Sequence, residues 1–253
     1  MSSKPAVMPG AEPFAFDGGT TGVLLVHGFT GTPQGLREWG EYLAGQGYAV
    51  ICPRLPGHGT QPRDLHDVTF REFVEEAERG LDGLLQRCQS VFIAGLSMGG
   101  TIVMDIVQRR GDELAGMILV NPFLYTPDPR AKLTPVLGKL PLLLKGVYND
   151  IAEPGQNELG YPKLSTKAFA SLWSAAKGIK TRLPSVHLPT LIFASRQDHV
   201  VHPGNASLVH ESISSTDKEL VWLDRSFHVA TLDYDRHLIF ERSAKFVASH
   251  EET

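Results

Sequence analysis

Few local patterns constrain a fold as tightly as Gly95-Leu96-Ser97-Met98-Gly99 in its surroundings here. Val91-Phe92-Ile93-Ala94 precedes it, a short apolar run bounded by Ser90 and Gly95, as in a parallel strand buried on both faces. After it, Ile102, Val103, Ile106 and Val107 recur at helical spacing up to Arg110, and Gly111 stands where a helix C-cap belongs. The pentapeptide therefore reads as a tight turn from strand to helix. Glycine is expected two residues either side of the serine, because a Cβ there would collide with the adjoining strand or helix.

The rest of the chain repeats that alternation. Val23-Leu24-Leu25-Val26, Tyr48-Ala49-Val50-Ile51, Met117-Ile118-Leu119-Val120, Leu191-Ile192-Phe193-Ala194 and Leu220-Val221-Trp222-Leu223 are further strand-like runs. Thr32-Pro33 predicts a helix start with Leu36, Trp39 and Leu43 on one face, stopped by Gly45 and Gly47. Thr69 and Glu72 form a capping box. It opens a helix striped by Phe70, Phe73, Val74, Ala77, Leu81, Leu84 and Leu85. A closing helix spans about Asp235 to Ser249. Nearly all-apolar strands alternating with helices predict an α/β fold, with a mostly parallel central sheet covered by helices on both faces. Residues 1–20 read as an N-terminal extension and 21–253 as a single domain. One stretch breaks the rhythm, from Asn121-Pro122 to Leu188-Pro189, with an apolar part, Leu133 to Val147, and a helix-like part, Lys167 to Lys177. A connection that long predicts a small inserted cap at about 123–187 rather than a loop.

Composition removes several classes of function. The net charge of −4 argues against a nucleic-acid partner, which wants a basic face. Cys52 and Cys88 lie in apolar surroundings with no C-x-x-C and no Cys/His cluster, which predicts free thiols in a reducing compartment and no metal site. The first residues lack the apolar core of a signal peptide, and no run reaches transmembrane length. The expectation is a cytoplasmic protein, with peripheral contact with a lipid surface left open. Oligomeric state has no signal in the sequence.

Chemistry converges on Ser97. A serine hydroxyl needs a base to take its proton, and the base needs an orienting acid. Where such a turn carries a nucleophile, the acid follows a late strand and the histidine follows the last one. Asp198 stands just beyond Leu191–Ala194, and His228 just beyond Leu220–Leu223. Both positions lie at carboxyl ends of strands, where ligands gather in open α/β sheets. Among the other histidines, His27 and His58 sit in glycine-flanked loops suited to shaping a pocket floor, and His66 reads as solvated. His199, His202 and His210 follow Asp198 too closely, His187 lies at the cap exit, and His237 and His250 fall in or past the closing helix. Asp224, ending the last strand, is the rival acid. Two backbone N–H groups must meet the developing oxyanion. Met98, after the serine, supplies one, and Phe29, after the turn-permitting Gly28, is the candidate for the other.

Taken together, His27-Gly28-Phe29-Thr30-Gly31, Leu55-Pro56-Gly57-His58-Gly59, Gly95-Leu96-Ser97-Met98-Gly99, Asp198-His199-Val200-Val201 and Phe227-His228-Val229 resemble the bacterial carboxylesterase and monoacylglycerol lipase branch of the α/β-hydrolase fold. The resemblance runs from about Gly22 to the C-terminus. It implies a Ser97, Asp198 and His228 triad, Phe29 and Met98 as oxyanion donors, and hydrolysis of monoacylglycerols or short- to medium-chain esters without a cofactor. Similar lipases hold the glycerol head with an acidic cap residue, and Glu158 in Asn157-Glu158-Leu159-Gly160-Tyr161 suits that role and nearly as well suits a solvated surface position. The apolar cap run, Leu142 and Leu143 included, suits an acyl tunnel and equally suits packing onto the sheet. Acyl transfer or peptide cleavage by the same triad, or ligand binding without catalysis, are the alternatives.

Overall fold

The computed structural model describes residues 5–251, so residues 1–4 of the expected extension and residues 252–253 lie outside the described residues. In chain order it runs β1 (Phe14–Phe16), β2 (Thr21–Val26), α1 (Arg37–Gly45), β3 (Ala49–Cys52), α2 (Phe70–Leu85), β4 (Ser90–Leu96), α3 (Met98–Arg110) and β5 (Gly116–Val120). It continues with α4 (Thr134–Leu137), β6 (Leu143–Lys145), β7 (Lys163–Ser165), α5 (Thr166–Thr181), β8 (Thr190–Ser195), α6 (Gly204–Ser212), β9 (Lys218–Leu223) and α7 (Arg236–His250). Seven strands form one sheet in the order β1-β3-β2-β4-β5-β8-β9, parallel except for β1.

Period-two side-chain alternation divides the core in two. Leu24, Val26, Ile93 and Leu119 face one side, against α2, α3 and α5. Val23, Leu25, Phe92 and Ile118 face the other, against α1 and α7. All six strands expected from apolar runs are present. The helix from Phe70 begins with the expected capping box, in which Thr69 and Glu72 satisfy each other's backbone N–H groups.

Several local expectations need correction. Phe14–Phe16, assigned from sequence to the extension, pairs antiparallel with β3 and forms a sheet edge. Three residues are too few for a periodic signal. Thr32 does not cap the helix that follows it; its hydroxyl donates to the Leu159 carbonyl at 2.8 Å. Gly111 is right-handed at φ −56° and runs on into a 3-10 turn instead of ending the helix in a left-handed cap. His66 is not merely solvated, since its Nδ1 lies 2.9 Å from the Ser165 hydroxyl.

Between β5 and β8 the chain makes the long excursion that the broken rhythm predicts. It contains a strand pair that sequence periodicity hides, because β6 and β7 form a separate antiparallel sheet only three residues long on each side. Its helix α5 belongs to the main helical layer, burying Ala168, Leu172, Ala176 and Ile179 alongside α2 and α3.

Candidate active site

The turn at Ser97 has the geometry its glycines imply. Ser97 holds φ 57° and ψ −118°, a strained conformation for a residue with a side chain, worth about 1–3 kcal/mol. Its N–H still bonds the Val120 carbonyl of β5 at 2.9 Å. A Cβ on Gly99 would stand 2.0 Å from the Val26 carbonyl oxygen, and one on Gly95 would stand 2.3 Å from the Gly99 carbonyl carbon. The serine is therefore carried at the end of β4, with Met98 as the first residue of α3, where helix geometry leaves an N–H without an intrahelical acceptor.

His228 and Asp198 meet across two strand ends. The His228 Nδ1–H donates to Asp198 Oδ2 at 2.7 Å, with side chains 9% and 1% exposed. Because a carboxylate only accepts, this bond fixes the proton on Nδ1 and leaves Nε2 as the basic nitrogen. Asp198 Oδ1 accepts from the N–H groups of Val200 and Val201 at 2.8 and 2.7 Å, so the carboxylate is held from both sides. Burial pushes the His228 pKa down, but the charge and hydrogen bond of Asp198, then the charges of Glu158 and Asp150, outweigh it and leave it above the ordinary imidazole value. Asp224 points elsewhere: its side chain is 73% exposed and pairs with Arg196 at 2.7 Å.

A cavity of about 580 Å³ opens over these residues, with Gly28, Phe29, Ser97, Met98, Glu158 and His228 in its lining. Its walls also include the apolar side chains of Phe123, Leu137, Leu144, Leu164, Phe169 and Leu172. Leu142 and Leu143, expected in this lining, are not among its residues. In the β6–β7 pair, Leu144 opposes Leu164 and both face the cavity, whereas Leu143 opposes Ser165. Leu142 has its backbone tied to Thr166 and is 40% exposed.

Glu158 does reach the site. Its carboxyl packs so closely on the Phe29 loop that a Cβ on Gly31 would stand 2.5 Å from Oε1. Loss of solvent pushes its pKa up to about 7, with His228 pulling the other way. The segment bearing it is bound to the same loop, since the Tyr161 N–H donates to the Thr30 carbonyl at 2.9 Å. The pocket-floor reading of His27 and His58 shifts by one layer, since neither is among the cavity's lining residues. His27 accepts the Leu55 N–H on Nε2 at 3.1 Å and donates from Nδ1 to the Gly28 carbonyl at 2.9 Å, bracing the Phe29 loop from behind. Burial lowers its pKa to about 4, against the Gly28 hydrogen bond, which keeps the ring neutral.

Two residues were invisible as site residues from sequence. Asn121, read only as a strand exit, is left-handed at φ 46°. Its side chain accepts the Ser195 N–H at 2.7 Å and donates to the His228 carbonyl at 2.8 Å. An Asn at a strand end tolerates that conformation better than most residues, and this was the available signal. Asp233, fully buried, accepts N–H groups from Ala152, Glu153, Phe227 and Tyr234. No local pattern marks it.

Comparison with known proteins agrees with this architecture. Residues 20–235 match the hydrolase family described as serine aminopeptidase, S33. The chain is 44% identical, over 99% of both lengths, to a thermostable monoacylglycerol lipase of Bacillus sp. (strain H-257). It is 24% identical to a carboxylesterase of Bacillus subtilis (strain 168), over 93% of this chain and 96% of that one. A solved structure from work on LipS and LipT, two metagenome-derived lipolytic enzymes, superposes with a TM-score of 0.93 at 40% identity, covering 97% of this chain and 100% of the other. The chain belongs to this S33-type hydrolase family and has the α/β-hydrolase fold.

Proposed function

We propose that this carboxylic ester hydrolase cleaves monoacylglycerols and related medium-chain esters through an acyl-enzyme on Ser97. The observation that carries the reading is the buried Asp198–His228 pair opening on the same cavity as the strained Ser97 turn. His228 Nε2 takes the Ser97 proton as Oγ attacks the ester carbonyl. The amides of Phe29 and Met98 receive the oxyanion. His228 then gives its proton to the leaving alcohol, and water activated by the same nitrogen releases the acid. The cavity combines the Glu158 carboxyl with leucine and phenylalanine walls, which suits a polar alcohol and an apolar acyl chain. With a carboxyl pKa of about 7, Glu158 can both donate to and accept from glycerol hydroxyls near neutrality.

Of the expected cap at about 123–187, the segment from about 123 to 165 acts as the cap, because α5 packs with α2 and α3 in the main helical layer. Leu133, Val136, Leu140 and Val147 on it are each more than half exposed, with Lys139 and Lys145 exposed among them. An apolar patch edged by lysines around a lipid-binding cavity is suited to peripheral contact with an anionic lipid surface. Cys52 and Cys88 are both unpaired thiols, which supports a cytoplasmic location.

A panel of monoacylglycerols, p-nitrophenyl esters and aminoacyl p-nitroanilides tests the reading. Monoacylglycerols should exceed methyl esters of the same acids in kcat/KM, and Glu158→Gln should narrow that gap. Ser97→Ala should abolish turnover and fluorophosphonate labelling. Preference for the anilides would favour the peptidase reading that the family description suggests, and an adduct on another serine would reject the Ser97 assignment.

A further inference from the structure

Asp150 lies between β6 and β7, directly after Asn149, which is left-handed at φ 57°. Its side chain is 10% exposed. Oδ2 accepts two backbone N–H groups, from His199 at 3.2 Å and from His228 at 3.1 Å. Oδ1 lies 2.9 Å from the imidazole Nδ1 of His199, and the Asp150 carbonyl accepts the Val229 N–H at 3.1 Å. His199 is the neighbour of Asp198. One carboxylate therefore grips the loop carrying the acid and the loop carrying the histidine at the same time. The two loops also touch directly, where the His199 ring meets Phe227 edge-on at 4.5 Å.

We propose that Asp150 is a positioning residue for the reaction, a cap-borne carboxylate that sets the spacing of the Asp198 and His228 loops and adds its charge to the field at the imidazole. The proposal rests on the Ser97, Asp198 and His228 assignment. The geometry gives it two separable effects. Backbone N–H bonds to an ionised acceptor are stronger than neutral ones, so the loops lose more than an ordinary tie when it is removed. The charged and titratable groups facing His228 are Asp198 from the loop after β8 and Glu158 and Asp150 from the cap. Those facing Asp150 include His199. On the histidine's own loop, the Asp233 carboxylate is occupied by backbone N–H groups. Removing the Asp150 charge leaves the His228 imidazolium less stabilised, so its pKa must fall.

The test compares full-length wild-type, Asp150→Asn and Asp150→Ala by kcat/KM against pH on p-nitrophenyl butanoate, with melting temperature measured alongside. Asp150→Asn retains one acceptor oxygen and should shift the acidic limb to lower pH by roughly half a unit or more. Asp150→Ala should show the same shift and lose kcat by about ten- to a hundredfold with KM within about twofold, the scale of a misplaced catalytic group. A kcat within about twofold of wild type in the Ala variant would overturn the proposal. So would a kcat loss that tracks melting temperature while the limb stays in place, since that is a packing role only. A Ser97→Ala variant that still reacts with fluorophosphonate would instead overturn the underlying triad, which keeps the two failures distinct.

Discussion

Asp224 is close to His228 along the chain, and Asp198 is 30 residues away, yet the distant residue makes the hydrogen bond. Sequence could favour Asp198 only through the order in which strands end; the structure adds that Asp224 is turned outward to Arg196. Asp198→Asn should therefore cut kcat by roughly a thousand- to ten-thousandfold, by analogy with the tautomer error produced in serine proteases. Asp224→Asn, breaking an exposed ion pair of about 0–1 kcal/mol, should leave kcat within about threefold. Steady-state kinetics of the two variants decide it, and a reversed ranking would move the acid role to Asp224. At this scale the sequence was most legible where a residue's position follows from chain order, as for Ser97 at the turn after β4 and His228 beyond β9. It was least legible for Asp150 and Asp233, whose partners are backbone N–H groups contributed by other segments. Such partners leave no trace in side-chain pattern.

Strands and helices with a long apolar period were readable, and the short ones were not. β1, β6 and β7 have three residues each, too few for alternation to stand out. That shortness hid the strand pair in which Leu144 and Leu164 line the cavity while Leu142 and Leu143 lie outside the lining. The β6–β7 pairing makes the choice sharp. Burial of a methylene is worth about 0.8 kcal/mol, so trimming the cavity wall should weaken long acyl chains selectively. Leu137→Ala with Leu164→Ala should lower kcat/KM for a dodecanoyl ester roughly ten- to a hundredfold more than for a butanoyl ester. Leu142→Ala with Leu143→Ala, outside the lining, should affect the two esters equally. Equal losses on both esters in the first pair would remove the acyl chain from these walls.

For the whole molecule, alternation of apolar strands with amphipathic helices was enough to predict the layered sheet, while the disposition of the cap depended on contacts between distant segments. Its exposed apolar face leads to a measurement on the intact protein. Sedimentation with phosphatidylcholine–phosphatidylglycerol vesicles should carry wild type down, and Val136→Asp with Leu140→Asp should remain in solution while turning over p-nitrophenyl butanoate normally. Equal sedimentation of both would place lipid contact on another face. The strands that bound the cap segment are parallel neighbours, with Met117 opposite Thr190 and Val120 opposite Phe193, so the chain leaves the sheet at one end of the β5–β8 ladder and rejoins it at the other, with α5 making the return. Closure entropy grows only slowly with loop length, so this opening in the scaffold accepts inserts of very different size. The outer part, from α4 through β6, is open to exchange by grafting or by evolutionary replacement without rebuilding the sheet. The stretch from Asn149 to Tyr161 is not, because it is fastened to the loops bearing Phe29, Asp198 and His228. A transplanted cap that omitted it would bring a new specificity to a catalytic apparatus left without one of its braces.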